Sequence, residues 1–288
     1  MRRLVPGQVT QLLVGTPEAD DLVVLGEYPD ILLEAPNWTM DGRLLLNGEG
    51  RLFAVDAEHG GEPRVIPFEG LPPINNDHVL HPDGKHVLMT AEDGQIYQGS
   101  LDGGAVRCLT SGPGGHYLHG ISPDGRTLAY VDLAEDGTGR LMLQDLHDGT
   151  VREIQVGDGH LDGPEFTPDG SALVLNTETF TDTPGHAQLA RIDLEGSAPP
   201  ERLVVSSTVD WFPHVSPDGR WATYLAYPAG TIGHPPDLPV EVRVVATEDW
   251  STPAASYPVR GGQGTINVPS WSPDSARFAV IAYPLVSR

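Results

Sequence analysis

One cysteine, Cys108, and one lysine, Lys85, are all that the chain of 288 residues has of either type, against sixteen arginines. A lone cysteine cannot pair within the chain, so no disulfide framework holds this fold. Cys108 falls in an outer-strand pattern and is expected to be packed. The excess of arginine over lysine reads as a compositional bias, and no function is drawn from it. No stretch approaches the roughly 20 apolar residues a membrane helix needs, so no membrane partner is expected. The opening MRRLVPGQVTQLLVG lacks the unbroken apolar core of an export signal, which leads us to expect a cytoplasmic protein. Positive charge is scarce: 17 basic against 40 acidic side chains leave a net charge of -23. Such a surface repels phosphate backbones, which argues against nucleic acid as a partner; its simplest role is solubility. Gly-x-Ser-x-Gly elbows, Gly-rich phosphate loops before a helix and Cys-x-x-Cys pairs are also missing, so no nucleotide cofactor is expected.

Turn formers are plentiful. The 34 glycines and 27 prolines are spread along the chain, as in a fold with many short connections and not in a low-complexity tail. One tetrapeptide recurs: Thr39-Met40-Asp41-Gly42, His81-Pro82-Asp83-Gly84, Ser122-Pro123-Asp124-Gly125, Thr167-Pro168-Asp169-Gly170, Ser216-Pro217-Asp218-Gly219 and Ser272-Pro273-Asp274-Ser275. Proline presets the first central dihedral, aspartate bonds back to the backbone, and glycine takes the positive φ that closes a hairpin. After each turn comes an apolar run such as Leu44-Leu45-Leu46 or Phe278-Ala279-Val280-Ile281, of the length and composition of a strand buried on both faces. Third and fourth strands follow, for example Arg51–Val55 and Arg202–Val205.

The aspartates lie 42, 41, 45, 49 and 56 residues apart, which is the arithmetic of four-stranded propeller blades. The last copy has room for two strands only. Two spare segments near the start, 9–14 and 22–28, complete that blade and remove the free sheet edges. The expectation is an all-β, six-bladed β-propeller that forms a single domain over residues 1–288.

On these turns the chain resembles the TolB-like propeller family, whose repeats carry the Ser-Pro-Asp-Gly signature, over essentially its whole length. TolB itself is a periplasmic partner of an outer-membrane lipoprotein, so the resemblance makes a noncatalytic protein–protein propeller one reading. The repeat turns, and histidines just before them, are also similar to those of oligogalacturonate lyase, in which a His-rich ring holds a divalent metal near the substrate carboxylate. That likeness implies lyase or hydrolase chemistry on a carbohydrate. Arginines for a uronate are sparse, with Arg260 alone near the funnel, so a neutral, hydroxyl-rich ligand is expected instead of a polyanion.

Residues entering the innermost strands ring a common funnel in a propeller, and here they are polar. The ligand-binding candidates are Asn37, Asn76, Asp77, Asp210, Trp211, Gln263 and Asn267, joined by His234 from a long Pro-rich loop, 227–239, that could form a lid. Polar groups with an aromatic, converging from several blades, are what a small-molecule site looks like. Trp211 is expected to face the funnel as a platform for a sugar ring, whereas Trp38 and Trp271 should pack between blades. His78, His119 and His214 are candidate metal ligands, for Mn, Zn, Fe, Ni or Ca. His116, Tyr117, Glu165 and Asp162 are candidates to move a proton. A pair for glycoside hydrolysis could come from Asp77, Asp162, Glu165 and Asp210. An inner-strand histidine is equally explained by a hydrogen bond to a neighbouring blade's backbone. For the protein-binding alternative, the exposed candidates are Tyr227, Pro228, Pro235 and Pro236.

Overall fold

A computed structural model describes residues 2–134, 137–195 and 197–286. Among these the regular structure is entirely strand, and apart from a short parallel pair, Phe68–Glu69 with Gly104–Ala105, the strands form six blades. Blade 1 holds Glu34–Trp38, Arg43–Gly48, Arg51–Asp56 and Gly60–Val65 in sequential antiparallel order. Blade 2 runs Ile74–Leu80, His86–Ala91, Ile96–Ser100 and Arg107–Cys108; blade 3, Gly115–Ile121, Thr127–Leu133, Gly139–Asp145 and Val151–Ile154. Blade 4 runs Leu161–Phe166, Ala172–Thr177, Gln188–Asp193 and Glu201–Arg202; blade 5, Val209–Val215, Trp221–Tyr227, Leu238–Ala246 and Asp249–Gly261.

Blade 6 closes the ring as the sequence predicts. Thr10–Gly15 pairs with Phe278–Ala282 on one side and Val23–Tyr28 on the other. Its innermost strand has contracted to the bridge Trp271–Phe278, helped by the Ala279 amide donating to Ser270 O at 3.0 Å. That leaves residues 262–269 free to form an irregular loop at the axis.

The repeat turns work as their residues dictate. The hydroxyl of Thr39, Ser122, Thr167, Ser216 and Ser272 donates to the aspartate two residues on, at 2.6–2.7 Å. Gly42, Gly84, Gly125, Gly170 and Gly219 sit at φ between 67° and 84°. Ser275 holds the same left-handed conformation in the sixth turn, at φ 61°, where a side chain is disfavoured.

Second strands form the core between blades because successive residues point to opposite faces. Leu44 and Leu46 pack towards blade 6, with Leu12, Ala279 and Ile281, while Leu45 packs towards blade 2, with Ile74, Val87 and Met89. All three leucines are fully buried, and each such side chain stabilises the fold by about 1.5–3 kcal/mol relative to exposure. Trp38 and Trp271 are buried between blades, the second donating its indole N–H to His214 O at 3.0 Å. Cys108 departs from expectation: its strand is two residues long and lies at the blade edge, so the thiol is exposed. No helix among the described residues is long and apolar enough to cross a membrane.

Candidate functional site

Each regular inner strand contains a β-bulge, at Glu34/Asn37, Ile74/His78, Leu118/Gly120, Asp162/Glu165 and Trp211/His214. A bulge re-aims side chains, and here it separates two polar layers around the axis. Five residues before each repeat turn stand Glu34, Asn76, Tyr117, Asp162, Trp211 and Asn267; two before it stand Asn37, Glu165 and His214 in three of the blades. Four of the first layer, Asn76, Tyr117, Asp162 and Asn267, line the mouth where the inner strands begin. The second lies deeper, towards the repeat turns.

The first mouth opens into a cavity of about 370 Å³, lined by Asn75, Asn76, Asp77, Tyr117, His119, His160, Asp162, Phe212, His234, Gln263 and Asn267, with Val131 and Leu133. Of the residues singled out in the sequence, eight meet here: Asn76, Asp77, Tyr117, His119, Asp162, His234, Gln263 and Asn267. His234 arrives on the loop 228–237, its ring 5.1 Å from that of Phe212 and 4.5 Å from that of Trp211. The loop is pinned to the body: Arg2 reaches across to Asp237 at 2.9 Å and to Glu34 at 3.2 Å.

The remaining candidates are placed elsewhere, and local chemistry explains why. Trp211 is 1% exposed; it lies behind Phe212 and His234 and offers no open platform. Asp210 is enclosed by the hydroxyls of Ser206 (2.6 Å) and Thr208 (2.8 Å) and by the Gln188 amide (3.1 Å). His116 turns to Gly94 O at 2.7 Å and packs edge-on against Tyr130, the structural role open to any inner-strand histidine. Asn37 donates to Pro269 O at 2.8 Å.

The three candidate metal histidines do not share a point. His78 is wholly buried, and burial holds it neutral, pulling its pKa down to about 3. His214 is spent on Glu165 Oε2 at 2.5 Å and Ile266 O at 2.6 Å, which also occupies Glu165. His119 alone reaches the cavity, and it is held by Asp162 at 2.8 Å. Among the described residues no three His, Cys, Asp or Glu side chains converge as metal ligands. These residues therefore do not fit a resident metal, and no step is derived through one.

Electrostatics in the cavity centre on His119. Burial opposes its charge, but Asp162 and Asp77 outweigh burial and hold its pKa up at about 9. Asp162 is pulled well below the usual carboxylate range despite burial, because the His119 imidazolium faces it. Asp77 goes the other way: burial pushes it up to about 6, with His119 resisting and Asp162 adding. A protonated imidazole and a carboxylate poised near neutrality therefore share one cavity, the separation of pKa values that distinguishes an acid from a base.

Five lining residues had no role in the sequence reading, and two of them, Phe212 and His160, bring rings to the wall. Phe212 stands at φ 54° just before Pro213, a left-handed conformation costly for a bulky residue and found where a site over-determines its backbone. Its signal was the register: Ala35-Pro36, Gly163-Pro164 and Phe212-Pro213 align before three turns, and all three pre-proline residues have φ of 54–63°. Nothing in sequence marks His160.

The chain is 35% identical over 265 residues to the uncharacterized protein Atu1656 of Agrobacterium fabrum, covering 90% of this chain and 87% of that one. It also matches the structure of an Agrobacterium tumefaciens protein assigned as a TolB, with 32% identity, 97% and 99% of the two chains covered and a TM-score of 0.87. The chain belongs to the TolB-like propeller family. A more distant likeness is to oligogalacturonate lyase in complex with manganese: TM-score 0.56, 15% identity, 91% of this chain and 75% of that one covered. At that identity it speaks for the fold. No protein-family model matches the chain.

Proposed function

We propose that this TolB-like propeller binds a small, hydroxyl-rich molecule of carbohydrate type in the funnel, and that His119 and Asp77 are its acid and base. The observation that carries this reading is the cavity of about 370 Å³, whose lining combines amide, carboxylate, imidazole and phenol groups with the Phe212 ring and contains no Lys or Arg. Pockets of roughly 300–1,000 Å³ with an apolar wall and a few convergent polar groups are the usual form of small-molecule sites. The absence of Lys and Arg argues against a uronate. His119 enters neutral solution protonated and able to give a proton, and Asp77 able to accept one, which suits proton transfer of the lyase or hydrolase kind.

The test is a thermal-shift and calorimetric titration with glucose, galactose and maltose. A saccharide at tenfold its Kd stabilises by about 1.4 kcal/mol, a rise of roughly 3 °C in Tm for a chain this long. Asn267→Ala should abolish that rise. Absence of both heat and shift with all three sugars would remove the reading.

A second reading, protein binding, has its own observation at the opposite mouth. There a cavity of about 290 Å³ is bordered by Val79, Ile121, Phe166, Pro217 and Trp271, with Met40 at its edge 74% exposed. The face proposed from sequence fits less well, because Tyr227 is fully buried. Met40→Asp would weaken a contact on the turn face while leaving saccharide binding intact.

A further inference from the structure

The direction of hydrogen bonding in the cavity can be traced from a backbone amide. Gly264 N–H donates to Asn267 Oδ1 at 2.6 Å, which fixes the orientation of that amide. Asn267 Nδ2 then donates to Gln263 Oε1 at 3.1 Å. The Gln263 amide, thus oriented, donates through Nε2 to Asn76 Oδ1 at 3.1 Å. His234 Nδ1 also meets Gln263 Oε1. An amide oxygen only accepts, so Nδ1 carries the proton and the neutral ring presents Nε2 as an acceptor. Burial keeps this histidine on the neutral side.

Opposite His234 Nε2, at 3.7 Å, stands Asp162 Oδ2. The other oxygen of Asp162 already accepts from His119 Nε2 at 2.8 Å and from Gly163 N at 2.9 Å. Two acceptors therefore face each other beyond hydrogen-bond reach, and neither can donate to the other. Nearby on the same wall, Asp77 Oδ2 accepts from Asn75 at 2.7 Å, while among the described residues no group donates to Oδ1. What this corner needs is a donor. A hydroxyl supplies one proton; an ammonium supplies three donors, no acceptor and a compensating charge. One nitrogen can sit about 2.8 Å from both Asp162 Oδ2 and His234 Nε2 at normal geometry.

We infer that the funnel selects a ligand bearing a primary ammonium, an amino sugar, held between Asp162 Oδ2 and His234 Nε2 with Asp77 as the neighbouring charge. This rests on the carbohydrate reading above and narrows it. The lining holds no Lys or Arg, and its His119 imidazolium is engaged with the other Asp162 oxygen, Oδ1.

Isothermal titration at pH 7 with glucosamine, glucose and glucuronate tests the inference, with ethanolamine and ethylene glycol as a sugar-free pair. Glucosamine should bind at least tenfold tighter than glucose, and glucuronate should not bind. His234→Phe keeps a ring between Trp211 and Phe212 but removes the acceptor. It should abolish the preference, so that the variant, still melting cooperatively, binds glucosamine and glucose equally well. Equal affinities for glucose and glucosamine in the wild type, or a tenfold preference that survives His234→Phe, would overturn the ammonium site alone. Ethanolamine binding over ethylene glycol without any sugar binding would keep the ammonium site and remove the carbohydrate reading. Silence from all five probes would remove both.

Discussion

Replacing Asp162 by Asn should change how the stability of this propeller depends on pH, in a window belonging to His119. The imidazole rises from 6.5 in the unfolded chain to about 9 in the fold. At about 1.36 kcal/mol per unit, the difference is roughly 3 kcal/mol. The sign follows from proton counts. Between pH 6.5 and 9 the folded protein keeps a proton that the unfolded chain has lost, so stability falls with rising pH. The contribution is complete below 6.5 and gone above 9. In Asp162→Asn the imidazole loses its principal partner but can still donate Nε2–H to the new carbonyl oxygen. The variant should therefore be about 3 kcal/mol less stable at pH 6 and nearly equal to wild type at pH 10. Urea unfolding at half-unit intervals from pH 6 to 10 measures both curves. Parallel curves, or a His119 ring resonance titrating near 6.5 in the wild type, would refute the argument.

Two further outcomes follow from the backbone. Ser275 combines a left-handed φ of 61° with a side-chain oxygen that accepts from Asp218 N at 2.9 Å across the blade 5–6 boundary. Ser275→Gly relieves the one and loses the other, each about 1 kcal/mol, and should leave the urea midpoint almost unmoved. Ser275→Ala keeps the strain and loses the bond, and should cost about 1–2 kcal/mol; equal effects of the two substitutions would contradict this balance. Gly264 lies at φ 89°, and a Cβ there would come within 2.5 Å of the Tyr283 hydroxyl and 2.7 Å of Glu34 Oε1. Gly264→Ala should destabilise by at least about 1–2 kcal/mol. It should also weaken ligand binding several-fold, since the Gly264 amide begins the chain of bonds that orients His234; calorimetry showing unchanged affinity would break that link.

The repeat Pro-Asp-Gly turns and the apolar runs behind them determine the six blades, because turn dihedrals and period-two burial are local properties written into adjacent residues. Closure by the N-terminal strands was legible for the same reason: two strands were missing at one end and two were spare at the other. The polar funnel was legible as a set of residues on inner strands, and eight of them do line one cavity. What sequence spacing could not give was direction. Bulges in the inner strands re-aim the side chains, and they differ: the register slips by one residue in blade 3 and by two in blade 2, and His119 faces the cavity while His78, at the same distance from its own turn, is buried without lining it. His214 and Glu165 find each other across a blade boundary instead of sharing a ligand. The tautomer of His234 is set by residues about 30 positions away in the chain, brought together only when the contracted strand of blade 6 folds in against the loop from blade 5. Strand period and turn chemistry act within a few residues; partners, burial and proton positions depend on what the closed ring places opposite.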